Sequence, residues 1–105
     1  MTERLTDPSL LLEITVNPEQ EEDMVDWLLN RDNAYGFSSF AVNGHSSQHD
    51  GLSLAEQVAG RKQQVRFQIH LEDDDVYRVL NRLRKDFEGS GVHYWILPVV
   101  ESGRM

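Results

Sequence analysis

The stretch VRFQIHLEDDDVYRVLNRLRKDFEGSGVHYWILPVV, residues 65–100, decides the fold. Its first seven residues alternate: Val65, Phe67, Ile69 and Leu71 point one way, and Arg66, Gln68 and His70 point the other. A period of two is the mark of a strand with one buried face. EDDD then opens a helix, with acids at the positive end of its dipole. Val76, Leu80, Leu83 and Phe87 recur at spacings of four, three and four, which makes one apolar stripe. Gly89 stops the helix. A last strand follows in VHYWILPVV, where the late Pro98 predicts a sheet edge or a strand break. The stretch reads strand, helix, strand.

The preceding residues supply a matching half. LLLEITV alternates, with Leu10, Leu12, Ile14 and Val16 on one side and Leu11, Glu13 and Thr15 on the other. In NPEQ, Asn17 is placed to cap, Pro18 suits the first helical position and Gln20 sits where a capping box needs it. The helix that follows, over 19–31, is expected to bury Met24, Val25, Leu28 and Leu29. NAYG turns the chain at Gly36, and FSSFAV is a shorter, less regular strand that ends by Gly44. The order βαββαβ predicts an α+β sandwich of ferredoxin-like type, an antiparallel sheet with two helices on one face. Residues 1–8 read as a flexible lead-in and 9–105 as a single domain.

Two helices cover only one sheet face. The other is predicted to carry Leu11, Glu13, Thr15, Arg66, Gln68, His70, His93, Trp95 and Leu97. A monomer would leave Trp95 and Leu97 in water, whereas a symmetric oligomer would bury them beside polar partners. His70 and His93 share this face and are expected to be able to approach one another.

Composition narrows the function. The chain has 105 residues and no cysteine, so disulfides, thiolate metal sites and a cysteine nucleophile are excluded. Ten basic against eighteen acidic residues give a net charge of −8, which disfavours nucleic acid as a partner. The cluster Arg78, Arg82, Arg84 and Lys85 reads as a solvated helix face. MTERLTDPS has no signal-peptide core and no apolar run is long enough for a bilayer, so a soluble cytoplasmic protein without membrane insertion is expected.

The element order, the loop between strands two and three, and GLSLAEQVAGRKQQVRFQI (residues 51–69) resemble the PII and CutA superfamily of small trimeric ferredoxin-like proteins. More narrowly, DWLL, GFSSFAVNGH, GLSLAEQVAGR, VRFQ and HYWILPV resemble a bacterial PII-like family of unassigned function, often encoded beside heavy-metal efflux systems. The resemblance implies a homotrimer whose subunit clefts sense a small ligand. It also implies that the loop between strands two and three meets a protein target, such as a membrane transporter. PII proteins hold ATP or ADP with a glycine-rich loop that carries a lysine, and with a basic tail. Here FEGSGVHYW keeps Gly89 and Gly91 but lacks the lysine, Glu88 would face the phosphates, and only Arg104 remains of the tail. These departures argue against a PII-type nucleotide site.

The loop that begins NGHSSQHDG admits three readings. His45 and His49, with Asp50, carry imidazole and carboxylate donors suited to zinc, nickel or copper(II), which would make the protein a metal-binding accessory in efflux or homeostasis. Gly44, Ser46 and Ser47, with Arg61 and Lys62 as counter-charges, have the makings of an anion or small-ligand site. LSLAEQV reads as a short helix capped by Ser53, whose Leu52, Leu54 and Val58 suit protein contact. No nucleophile elbow or phosphate loop is present, and the acid pairs fall at helix starts, so catalysis is not expected. A structural trimer without ligand is the remaining alternative.

Overall fold

A computed structural model describes residues 9–30, 36–45 and 61–105. Strand β1 (Ser9–Val16) leads through a 3-10 turn (Pro18–Gln20) into helix α1 (Glu21–Leu29). Strands β2 (Phe37–Gly44) and β3 (Lys62–Glu72) follow, then helix α2 (Asp73–Asp86) and strand β4 (His93–Val99). The sheet order is β2-β3-β1-β4 and every pairing is antiparallel. This is the ferredoxin-like arrangement expected. Pro98 lies on β4, an edge strand, where proline is tolerated.

Alternation puts Leu12, Ile14 and Val16 beside Val65, Phe67, Ile69 and Leu71 on the helix side, all buried. Met24 from α1 and Val76, Val79, Leu80 and Leu83 from α2 complete this core. Burial of each such side chain is worth about 1.5–3 kcal/mol. The α2 stripe is therefore broader than expected, with Val79 inside it, while Phe87 packs on its margin just past the helix end.

Helix α1 departs from expectation at one residue. Leu29 is 66% exposed, and Trp27 takes its place against the core. At 100° per residue, Trp27 and Leu28 flank the direction of Met24, whereas Leu29 lies about 140° away from it. The Trp27 ring meets Phe87 edge-on at 5.7 Å, and its indole N–H donates to Asp86 Oδ2 at 2.7 Å, so the two helices are tied at this end.

The helix start is held as its sequence indicates. Asn17 N–H donates to Gln20 Oε1 at 2.9 Å, and the Gln20 amide donates in turn to the Ser90 carbonyl at 2.9 Å. One side chain thereby links the β1–α1 turn to the α2–β4 loop. In that loop Gly89 and Gly91 both have positive φ, +76° and +82°, a region that glycine enters without the Cβ penalty. The expected lead-in 1–8 and the short helix in LSLAEQV lie outside the described residues.

Candidate functional site on the open sheet face

The register assembles the uncovered face in rows across the sheet. One row is Phe40, Arg66, Thr15 and His93, and the next is Ser38, Gln68, Glu13 and Trp95. A third joins His70, Leu11 and Leu97. All nine residues expected here are present. The second strand adds Ser38 and Phe40, whose irregular FSSFAV gave no alternation from which to read them.

Glu13 sits at the centre of this face. Its carboxylate accepts the Gln68 amide at 2.5 Å on one side and the Trp95 indole N–H on the other. Arg66 reaches across from the neighbouring row: its Nε donates to Thr15 Oγ1 at 3.1 Å, and its guanidinium lies 4.8 Å from the Trp95 ring centroid. The hydrogen bonds from Gln68 and then Trp95 hold the Glu13 carboxyl below its ordinary value of 4.5; desolvation opposes them and the Arg66 charge adds to them. Glu13 therefore stays ionised on a face that is otherwise neutral or cationic.

Around this network lie large apolar surfaces. Phe40 and Leu97 are each 40% exposed and Trp95 44%. The face thus combines a fixed indole and guanidinium with aromatic and aliphatic area, a combination enriched at the centres of protein interfaces.

The histidines do not converge. His70 pairs across from Leu11 and hydrogen-bonds Ser9 Oγ at 2.8 Å, whereas His93 pairs across from Thr15 and leans on Trp95. Two strand spacings and four residues separate them, roughly 16 Å. The expectation that they could approach one another is corrected by the register. Among the described residues, no group of three or more metal-ligating side chains is placed to hold an ion.

Gly44 and Lys62 face each other as the last pair of the β2–β3 ribbon, flanked by exposed His45 and Arg61. Ser46, Ser47, His49 and Asp50 lie outside the described residues. Gly89 and Gly91 lie at the same end of the sheet but beside β4, across β1 from that ribbon. Arg104 is exposed beyond the opposite end of β4. Within one chain the described candidates form two separate clusters and an outlying arginine.

A pocket that sequence reasoning missed lies on the helix side, between the end of α2 and the start of β4. It has a volume of about 220 Å³ and is lined by Leu83, Arg84, Phe87, Glu88, Gly89, Val92 and Tyr94. Among the described residues no helix is long and apolar enough to cross a membrane.

Comparison with known proteins places this geometry. The profile of DUF3240, a family described as proteins of unknown function, matches residues 6–105. The fold is similar to that of a DUF3240 family protein from Shewanella baltica, with a TM-score of 0.73 at 21% identity over 95% of this chain and 99% of the other. It is also similar to a proposed PII-like signaling protein from Thermus thermophilus, with a TM-score of 0.63 at 20% identity over 89% of this chain and 88% of the other. No curated protein matches the sequence.

Proposed function

This chain belongs to the DUF3240 family, and from that premise we propose that it is a PII-like regulatory protein that works as a homotrimer. The open faces pack together, and small-ligand sensing takes place in the clefts between subunits. The observation that carries this reading is the uncovered face, where Trp95, Leu97 and Phe40 present apolar area around the fixed Glu13 carboxylate. The likeness in fold to the PII-like protein supports it.

The ribbon end at Gly44 and Lys62, flanked by His45 and Arg61, then meets ligand and partner protein, and Ser46 and Ser47 are proposed as further ligand donors. Assembly gives Gly89, Gly91 and Arg104 their place, since clusters that are separate in one chain can adjoin across a subunit boundary. A transporter or another protein is the target, and the protein acts by binding, without catalysis, inside the cell.

Light scattering on the eluting protein at micromolar concentration tests the assembly. A mass of three times the 12.1 kDa chain is expected. Trp95→Glu, which places a charge at the centre of the buried face, is expected to give monomer. A monomeric wild type sinks the proposal. Calorimetry with zinc, copper and nickel separates regulator from metal accessory, and no heat with any of them favours the regulator. Stoichiometric zinc binding that is lost in the double variant His45→Ala and His49→Ala would assign the chain to metal handling beside an efflux system.

A further inference from the structure

The pocket between α2 and β4 is built by one chain alone and does not depend on assembly. Its wall is apolar: Leu83 is buried, and Phe87, Val92 and Tyr94 are half-buried. Its polar end is the pair Arg84 and Tyr94. Arg84 Nε and Nη2 both donate to the Tyr94 phenol oxygen, at 3.2 and 2.7 Å, and the guanidinium sits 5.6 Å from the ring centroid. Two accepted bonds occupy the phenol's lone pairs, so its remaining capacity is the O–H as donor. Arg84 keeps three of its five N–H groups, and among the described residues it makes no ion pair. The side-chain polar end therefore offers donors and a positive charge held in place by a phenol.

The arrangement suits a planar anion, because guanidinium recognises carboxylate through parallel N–H donors. The apolar wall requires that the anion carry a hydrophobic body. Glu88, exposed at the same pocket, sets a limit on charge. One negative group is balanced by Arg84, while a second or third would meet the Glu88 carboxylate. Gly89, with no heavy atom within 4 Å of where its Cβ would sit, leaves the mouth open.

We infer that this pocket binds a small monocarboxylate with an apolar body, through Arg84 and Tyr94, and that Glu88 rejects polyanions such as nucleotide polyphosphates. The pocket shares Gly89 with the loop assigned above to the subunit cleft, but it is formed within one chain, so its test does not depend on assembly.

The test is NMR titration of the full chain with 3-phenylpropionate, read at the amides of Gly89, Val92 and Tyr94. Its neutral amide and inorganic pyrophosphate serve as controls. Saturable shifts at those amides are expected with the carboxylate, and binding at least tenfold weaker with the amide. Arg84→Met keeps the exposed aliphatic stem and is expected to weaken carboxylate binding at least tenfold. Tyr94→Phe is expected to weaken it several-fold. Glu88→Gln folds as the wild type does, since the side chain is exposed, and is expected to tighten the carboxylate and to admit pyrophosphate. Absence of saturable shifts with 3-phenylpropionate overturns the assignment. So does pyrophosphate binding to the wild type as tightly as the carboxylate, or a carboxylate affinity unchanged in Arg84→Met.

Discussion

Glu13→Gln tests whether the network on the open face is electrostatic or merely space-filling. The substitution keeps shape and removes charge. Trp95 can still donate to the new carbonyl, and the Gln68 amide can turn to present its oxygen to the new NH2. Both bonds then survive as neutral ones. Hydrogen bonds to a charged group contribute about 1.5–3 kcal/mol and neutral ones about 0.5–1.5, so each bond loses roughly 1 kcal/mol and the pair about 2 kcal/mol. A chain of this size has a urea slope in the range of about 1–2 kcal/mol per molar, so the midpoint at pH 7 is expected to fall by about 1–2 M. Protein concentration must be matched, since an assembly's stability depends on it.

The pH dependence makes the test sharper. The folded state holds the Glu13 pKa below 4.5, with Gln68 and Trp95 as the main causes. Its contribution is therefore fully present above the unfolded value and is lost as the pH falls through the lower folded value. Wild type and Glu13→Gln are expected to converge in the acid range, where the protonated carboxyl and the amide are both neutral. Equal midpoints at pH 7, or a gap that persists undiminished at acid pH, would refute the reasoning.

Other perturbations separate core from surface. Leu12→Ala, at a fully buried site on a central strand, is expected to cost about 2–5 kcal/mol by chemical denaturation. Leu29→Ala, on the exposed side of α1, is expected to stay within about 0.5 kcal/mol. Gly91→Ala meets no atom within 4 Å yet must adopt a φ of +82°, so its cost, about 1–2 kcal/mol, is wholly conformational and its urea slope stays unchanged. Gln20→Ala removes the tie to the Ser90 carbonyl and is expected to speed amide exchange across 87–92 without loss of the fold.

The parts of this molecule that were legible in the sequence are those governed by local period. Val65, Phe67, Ile69 and Leu71 declare a strand by alternation, and parity alone assigned nine residues to the open face. Parity does not give register. That Glu13 lies between Gln68 and Trp95, and that His70 and His93 are far apart, depends on how far each strand slides along β1. The lengths of the connecting turns and the fit of the whole core set that slide. Trp27 was hidden for a related reason. Met24, Val25, Trp27, Leu28 and Leu29 wrap more than half of a short helix, so the direction of burial is set by Phe87, sixty residues beyond Trp27.

The Arg84–Tyr94 pair shows the same limit and why it matters for function. Ten residues apart in sequence, the two side chains meet only because Gly89 and Gly91 take positive φ and return the chain beside the helix it has just left. The same glycines were singled out in the sequence as the remnant of a phosphate-binding loop. In the structure they have a second use, independent of any phosphate: they bring the start of β4 against the last turn of α2, with an arginine on one wall and a phenol on the other. Replacement of Gly91 by a β-branched residue such as valine should therefore disturb the pocket before it disturbs the core. The expected signature is a lost 3-phenylpropionate response with the buried Leu12 and Phe67 amides still protected from exchange. If Gly91→Val binds the carboxylate normally, the turn does not set the pocket, and the glycines must be explained some other way.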